Sequence, residues 1–151
     1  MNTNSEEFKT KYNSKANEIA PQLGININGA TIKTGAAQDV FQYSISQSVI
    51  IQGAIDKTNG KVKEAWILSK PQSSDDMLLM FMSYGLIMAT LNPELSADER
   101  GTIFAALNLT DLESMKKLAN GDASIVKGNV RYTAKLLPDV TFMLIGAAKD
   151  L

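Results

Sequence analysis

The most apolar segment of the chain runs from Met77 to Leu91. Residues that cap helices precede it at 73–76, and Pro93, which disfavours helical geometry in the residue before it, follows. Four residues interrupt its hydrophobic run: Ser83, Tyr84, Gly85 and Thr90. Because no polar face is left for water, the pattern predicts a core helix that is enclosed on nearly all sides. At ~1.5 Å per residue it spans roughly 22 Å, short of the ~30 Å hydrocarbon layer, so we expect no membrane span.

An amphipathic helix is predicted near the N-terminus, where residues 1–5 form a polar tether and Ser5 caps the first turn. Its apolar positions recur at helical spacing: Phe8, Tyr12, Ala16, Ile19 and Leu23. Since this stripe is narrow, we expect the helix to pack one face on its own domain, with binding to a partner as the alternative.

Strand-like alternation follows over Ile25–Ile32. In Val40–Asp56 the apolar residues keep to odd positions, which indicates one long strand or two strands with a bend near Ser46–Ser48. Asn59-Gly60 favours a tight hairpin turn, and the strand Lys61–Ser69 comes directly after it.

The second half of the chain returns from helices to strands. Ser96 and Glu99 have the spacing of a capping box, which predicts a helix that ends near Leu107. A short third helix is expected over 112–118, and strands over Val130–Leu136 and Val140–Ala148.

The element order is therefore α-β-β-β-α-α-(α)-β-β. Short turns between strands imply antiparallel pairing, and a single helical block places the helices on one face. We predict an α+β fold in which one antiparallel sheet of about five strands packs on the central apolar helix, as a single domain over residues 6–151.

Composition narrows the function classes. A chain of 151 residues with 44% hydrophobic and 21% charged residues is typical of one globular domain. The net charge of −1, without a basic block, disfavours nucleic acid binding. The sequence has no cysteine and no histidine, which excludes thiolate nucleophiles, imidazole relays and Cys/His zinc sites within it.

Candidate chemistry is sparse in the remaining residue types. The acid pairs Asp75-Asp76 and Asp98-Glu99 have ligands for a hard cation, but each stands at a predicted helix start, where capping explains it. Ser46, Ser48 and Ser83 have no histidine to activate them. We therefore expect no catalytic residue, no metal and no cofactor, and hence no enzyme.

Binding is the function that the central helix favours. Its methionines are soft side chains that suit an apolar ligand or a peptide, although core filling is their commoner use. Gly85 costs about 1 kcal/mol inside a helix, which suggests that a strand, a ligand or the second subunit of a homodimer approaches it closely. The candidate contacts with an apolar ligand or a protein partner are Trp66, Met80, Tyr84, Gly85 and Met88.

Three segments carry a resemblance to known proteins: Asn59-Gly60-Lys61-Val62-Lys63, the connection over 92–100, and Tyr132 with Val140-Thr141-Phe142-Met143. They resemble small domains of bacterial secreted proteins and lipoproteins of unclear function, over most of residues 40–148. The resemblance implies an exported cell-envelope binding module whose signal segment is absent from this sequence, and it names no active residue.

The element order also resembles that of the small chaperones of type III secretion, which have a helix, three strands, a helix and two strands. This chain departs from them by the additional helical segment over 96–120 and by lacking their C-terminal helix. The alternative expectation is therefore a cytoplasmic, dimeric chaperone-like protein.

Overall fold

The computed structural model describes residues 4–23, 26–27, 31–136 and 143–149. Its helices are α1 (Ser5–Ile19), α2 (Ser74–Leu91), α3 (Ala97–Ala106) and α4 (Leu112–Lys116), with 3-10 turns at Pro21–Leu23 and Lys117–Asn120. Its strands are β1 (Thr31–Lys33), β2 (Gln38–Ser44), β3 (Val49–Asp56), β4 (Val62–Ser69), β5 (Ala123–Lys127), β6 (Val130–Leu136) and β7 (Met143–Lys149).

The seven strands form one antiparallel sheet in the order β1-β2-β3-β4-β7-β6-β5. It consists of two meanders, β1 to β4 and β5 to β7, which join where β7 pairs with β4. All the described helices except α1 lie in the chain between these meanders. The prediction of an α+β fold with one antiparallel sheet is confirmed, but the prediction of about five strands is wrong.

One additional strand arises because the segment Val40–Asp56 folds back on itself. β2 and β3 form a hairpin in which Tyr43 stands opposite Ile51, and the backbone N–H of Ile45 donates to the carbonyl of Val49 at 3.0 Å. The four-residue turn preserves the odd parity of the apolar positions, so both strands present them to the same face of the sheet. The sequence of a hairpin with such a turn has the same alternation as one long strand.

The other additional strand, β5, is joined to β6 by a turn at Gly128-Asn129, in which Gly128 has a φ of +63°. A glycine with positive φ at the first central position is the requirement of a type II′ hairpin turn. The predicted strand Val140–Ala148 is described from Met143 onward, and Ile25 and residues 28–30 of the predicted first strand lie outside the described residues.

Helix α2 ends at Leu91, as its sequence predicts, and it begins at Ser74, three residues before the predicted start at Met77. The Ser73 hydroxyl accepts the N–H of Asp76, and the N–H of Asn92 donates to the carbonyl of Met88 at 2.8 Å. Nearly all of its C-terminal half is buried, but its first two turns are only partly covered, and Leu78 is 51% exposed. The expectation that the whole helix is enclosed is therefore wrong for its N-terminal half.

Helix α1 packs against α2 and the start of the sheet. Its cap is Asn4 and not Ser5, because the Asn4 side-chain oxygen accepts the N–H of Glu7 at 2.9 Å. Phe8 contacts Phe41 of β2 with ring centroids 5.5 Å apart. The narrow stripe of α1 thus covers its own domain, as its pattern predicts.

The sheet has one face toward the helices and one away from them. Tyr43, Ile67 and Tyr132 are fully buried on the helix face. Gln52 and Trp66 stand opposite each other on the other face, where both are half-buried. In the part of the chain that the structure describes, no helix is long and apolar enough to cross a membrane.

Candidate ligand pocket

A pocket of about 400 Å³ opens between the end of α1, the middle of α2, and α3. Ligand sites for small molecules commonly have volumes of about 300–1,000 Å³ and predominantly apolar walls. Of the eleven described residues that line it, nine are apolar or glycine, and Arg100 and Thr110 bring polar side chains. The pocket therefore has the size and the polarity of a site for an apolar small molecule.

One wall of the pocket is a single face of α2, formed by Phe81, Met82, Gly85 and Leu86. Residues four apart on a helix lie above one another, so the pairs 81/85 and 82/86 form a continuous surface. Leu86 is buried at the floor, whereas Phe81 and Met82 are half-buried. This wall lies where the partly covered N-terminal half of α2 meets its buried C-terminal half.

Gly85 forms a notch in this wall. A Cβ atom added to it would lie 3.9 Å from the nearest atoms of the Phe104 ring, which is an ordinary van der Waals distance. Among the described residues, no backbone segment of this chain presses against Gly85, so the expectation of a crossing strand is wrong. The glycine instead widens the pocket by the volume of a side chain.

Aromatic rings hold the position of Phe104. Its ring meets Phe81 edge-to-face with centroids 6.2 Å apart and Tyr84 in the same manner at 5.9 Å. Edge-to-face contacts at these distances are the preferred geometry of aromatic pairs. Tyr84 in turn contacts Tyr132 of the sheet at 6.4 Å, so the pocket wall is supported by the core.

Helix α3 contributes the rim of the pocket, where Ala97 and Gly101 lie one turn apart. Both are exposed, and a Cβ atom on Gly101 would meet no atom within 4 Å, so this side forms the mouth of the pocket. The predicted capping box holds the start of the helix, since the Ser96 hydroxyl accepts the Glu99 N–H and the Glu99 carboxylate accepts the Ser96 N–H. The latter bond lowers the pKa of Glu99.

Arg100 lies in the first turn of α3 and is half-buried. Its guanidinium Nη1 donates to the backbone carbonyl of Leu95 at 2.9 Å, which anchors the side chain beside the pocket. Among the described residues, no carboxylate lies within salt-bridge distance of Arg100, so its charge is not neutralised by an ion pair there.

Of the five residues predicted to contact a ligand, the structure places only Gly85 in the pocket. Met80, Tyr84 and Met88 are fully buried in the core. Trp66 is on the sheet face away from the helices, where its indole N–H donates to the side-chain oxygen of Gln52 at 3.0 Å. The five residues are not brought together in one site.

None of the other described lining residues was among the five predicted contacts, although Ile19 belongs to the apolar stripe predicted for α1. Phe104 and Arg100 belong to a short helix of weak amphipathicity, and Ile19 is at the end of a helix far away in the chain. Met82 differs from these residues, because it lies four residues before Leu86 on the same apolar helix, and this spacing is visible in the sequence. Only the packing of α1, α2 and α3 brings these side chains together.

Among the described residues, the serines and acid pairs that are candidates for catalysis or metal binding do not line the pocket. Ser83 is fully buried, and Ser46 and Ser48 are in the β2–β3 turn. Among residues 4–23, 26–27, 31–136 and 143–149, no three acidic side chains are grouped so as to hold a metal ion. The described lining of the pocket offers no carboxylate and no nucleophile beyond the Thr110 hydroxyl.

A comparison of this chain with protein-family models, curated proteins and solved structures finds no match.

Proposed function

We propose that this domain is a non-enzymatic binding module that takes a small apolar ligand into the pocket between α1, α2 and α3. The observation that carries the proposal is the apolar lining of a cavity of about 400 Å³ beside half-buried Phe81 and Met82. Apolar surface in a concave site gains free energy when a ligand removes it from water, at about 25 cal/mol per Å².

The form of the pocket supports the same conclusion. Its lining is held in place by the core, because Leu86 is buried and the Phe104 ring lies between two aromatic rings. Its mouth is formed by small residues, Ala97 and Gly101, which leave access for a ligand. A preformed apolar site of this kind binds with little cost of reorganisation.

The test uses N-phenyl-1-naphthylamine, a neutral apolar dye whose fluorescence increases in apolar surroundings. We expect saturable binding by the wild type. In Gly85→Leu the new side chain projects into the pocket, so dye affinity should fall at least about tenfold, the equivalent of 1.4 kcal/mol. Far-ultraviolet circular dichroism should show that the helices of the variant are intact.

Gly85→Ala is the matched control, because its single methyl group meets only the Phe104 ring at 3.9 Å and leaves most of the cavity open. It should keep dye binding within a few-fold of wild type. A wild type that does not bind the dye, or a folded Gly85→Leu that binds it as well as wild type, would contradict the proposed function.

For its place in the cell we propose an exported domain of the bacterial cell envelope. The support is the resemblance to secreted proteins and lipoproteins at the segments named above. Fractionation of cells that express the natural gene tests it, and recovery of the protein in the cytosolic fraction alone would favour the chaperone-like alternative.

A further inference from the structure

We infer that the ligand of this pocket is an amphipathic carboxylate, with its apolar chain against α2 and its carboxylate on Arg100. The inference rests on the proposed function and adds the chemical class of the ligand. Among the described residues that line the pocket, Arg100 is the one that carries a charge. A ligand whose apolar part fills this cavity binds more tightly if its other end is an anion that pairs with the cation.

The guanidinium of Arg100 is suited to this role by its position. Its Nη1 already donates to the Leu95 carbonyl at 2.9 Å, which fixes the group at the pocket and leaves its other N–H donors for a ligand. A planar guanidinium presents pairs of parallel donors that match the two oxygens of a carboxylate. The bond to Leu95 therefore preorganises the cation and does not satisfy it.

The two acidic residues that precede Arg100 in the chain do not form an ion pair with it. Glu99 is bound to the backbone N–H of Ser96 at 2.8 Å, as part of the capping box. Asp98 is exposed, and neither residue lines the pocket. Arg100 is thus half-buried beside apolar walls without an ion-pair partner from the described chain, a setting in which an added carboxylate interacts more strongly than it does in water.

The experiment measures displacement of N-phenyl-1-naphthylamine by decanoate and by decanol, which have the same chain and differ in the head group. Decanoate is used below the concentration at which it forms micelles and decanol below its solubility limit, at pH 8 and low salt. In the wild type we expect decanoate to displace the dye at a concentration at least about tenfold lower than decanol, because hydrogen bonds to charged groups are the stronger ones.

Two variants assign this preference to Arg100. Arg100→Gln should reduce the decanoate-to-decanol preference at least about fivefold, whereas Arg100→Lys, which keeps the charge, should retain most of it. Added salt should weaken decanoate and leave decanol nearly unchanged in the wild type, since charge interactions are screened. The wild-type comparison and the salt series decide the matter even if Arg100→Gln does not fold.

The outcomes separate the two proposals. Dye binding with equal displacement by decanoate and decanol overturns the inference while the proposed function stands, and so does a preference that a folded Arg100→Gln leaves unchanged. A wild type that does not bind the dye overturns the proposed function and the inference with it.

Discussion

The substitution of alanine for glycine should have opposite effects at positions 53 and 85, and the difference tests the packing of the core. Gly53 of β3 stands directly opposite Phe41 of β2. A Cβ atom at position 53 would overlap the Phe41 ring and lie 2.8 Å from the carbonyl oxygen of Glu64. At Gly85 the nearest atoms to such a Cβ are 3.9 Å away.

The magnitude follows from what can move. Phe41 is fully buried and is held by Phe8 and Tyr43, with ring centroids 5.5 and 5.6 Å away. Overpacking of a well-filled core costs about 1–3 kcal/mol, from which the reduced chain entropy of alanine removes about 0.4–1 kcal/mol. Gly53→Ala should therefore lower the free energy of unfolding by about 1–2 kcal/mol, whereas Gly85→Ala should raise it by up to about 1 kcal/mol.

Urea denaturation followed by circular dichroism measures both changes, and Tm should shift by about 2–4 °C per kcal/mol for a domain of this size. Phe41→Leu shortens the obstructing ring, so in that background Gly53→Ala should cost less than in the wild type, and the cost that remains comes from the Glu64 carbonyl oxygen at 2.8 Å. A Gly53→Ala variant as stable as wild type, or additive costs in the double variant, would refute the close contact of Gly53 with Phe41.

Two further predictions concern the buried leucines and tyrosines. Leu86→Ala should lower the free energy of unfolding by about 2–4 kcal/mol, whereas Leu78→Ala, at a position 51% exposed, should change it by under about 0.5 kcal/mol; similar losses at both would contradict the described burial of α2. Burial raises the pKa of Tyr132 to about 12 and also raises those of Tyr12, Tyr43 and Tyr84, so all four tyrosines of the chain stay protonated in the fold while unfolded tyrosine ionises near pH 10. The stability of the fold should be unaffected by these groups below about pH 10 and should fall as the pH rises toward the raised pKa values, since the unfolded state then binds fewer protons. Tyrosinate absorbance and circular dichroism should change together in a pH titration, and ionisation near pH 10 with unchanged circular dichroism would contradict it.

The caps of α2 and α3 were predictable because they depend on neighbours in the sequence. Ser73 caps α2 through the N–H of a residue three positions later, and Ser96 and Glu99 do the same for α3. Such bonds form within one turn, so the residue types alone specify them. At α1 the prediction was wrong by one residue, because Asn4 and Ser5 can both cap a helix and the helix uses Asn4.

The strand count required knowledge of which segments meet. A four-residue turn leaves the alternation of β2 and β3 uninterrupted, so the pattern over Val40–Asp56 fits one strand and two strands equally well. The pairing of β4 with β7 joins segments about 80 residues apart, and no local pattern encodes it. The number of strands is therefore decided only by which segments pair through backbone hydrogen bonds in the folded sheet.

The sequence by itself determined the class of the fold, the caps of α2 and α3, and the absence of cysteine and histidine chemistry from the chain. The tertiary structure alone decided where the pocket is. Leu78 and Leu86 belong to the same apolar run, yet the first is 51% exposed and the second 1%. A hydrophobic side chain lowers the free energy when it leaves water, and this tendency is encoded in the sequence. Whether neighbouring residues fill the space around that side chain depends on how α1 and α3 pack on α2. In this fold they leave the cavity beside Gly85 and Arg100 open.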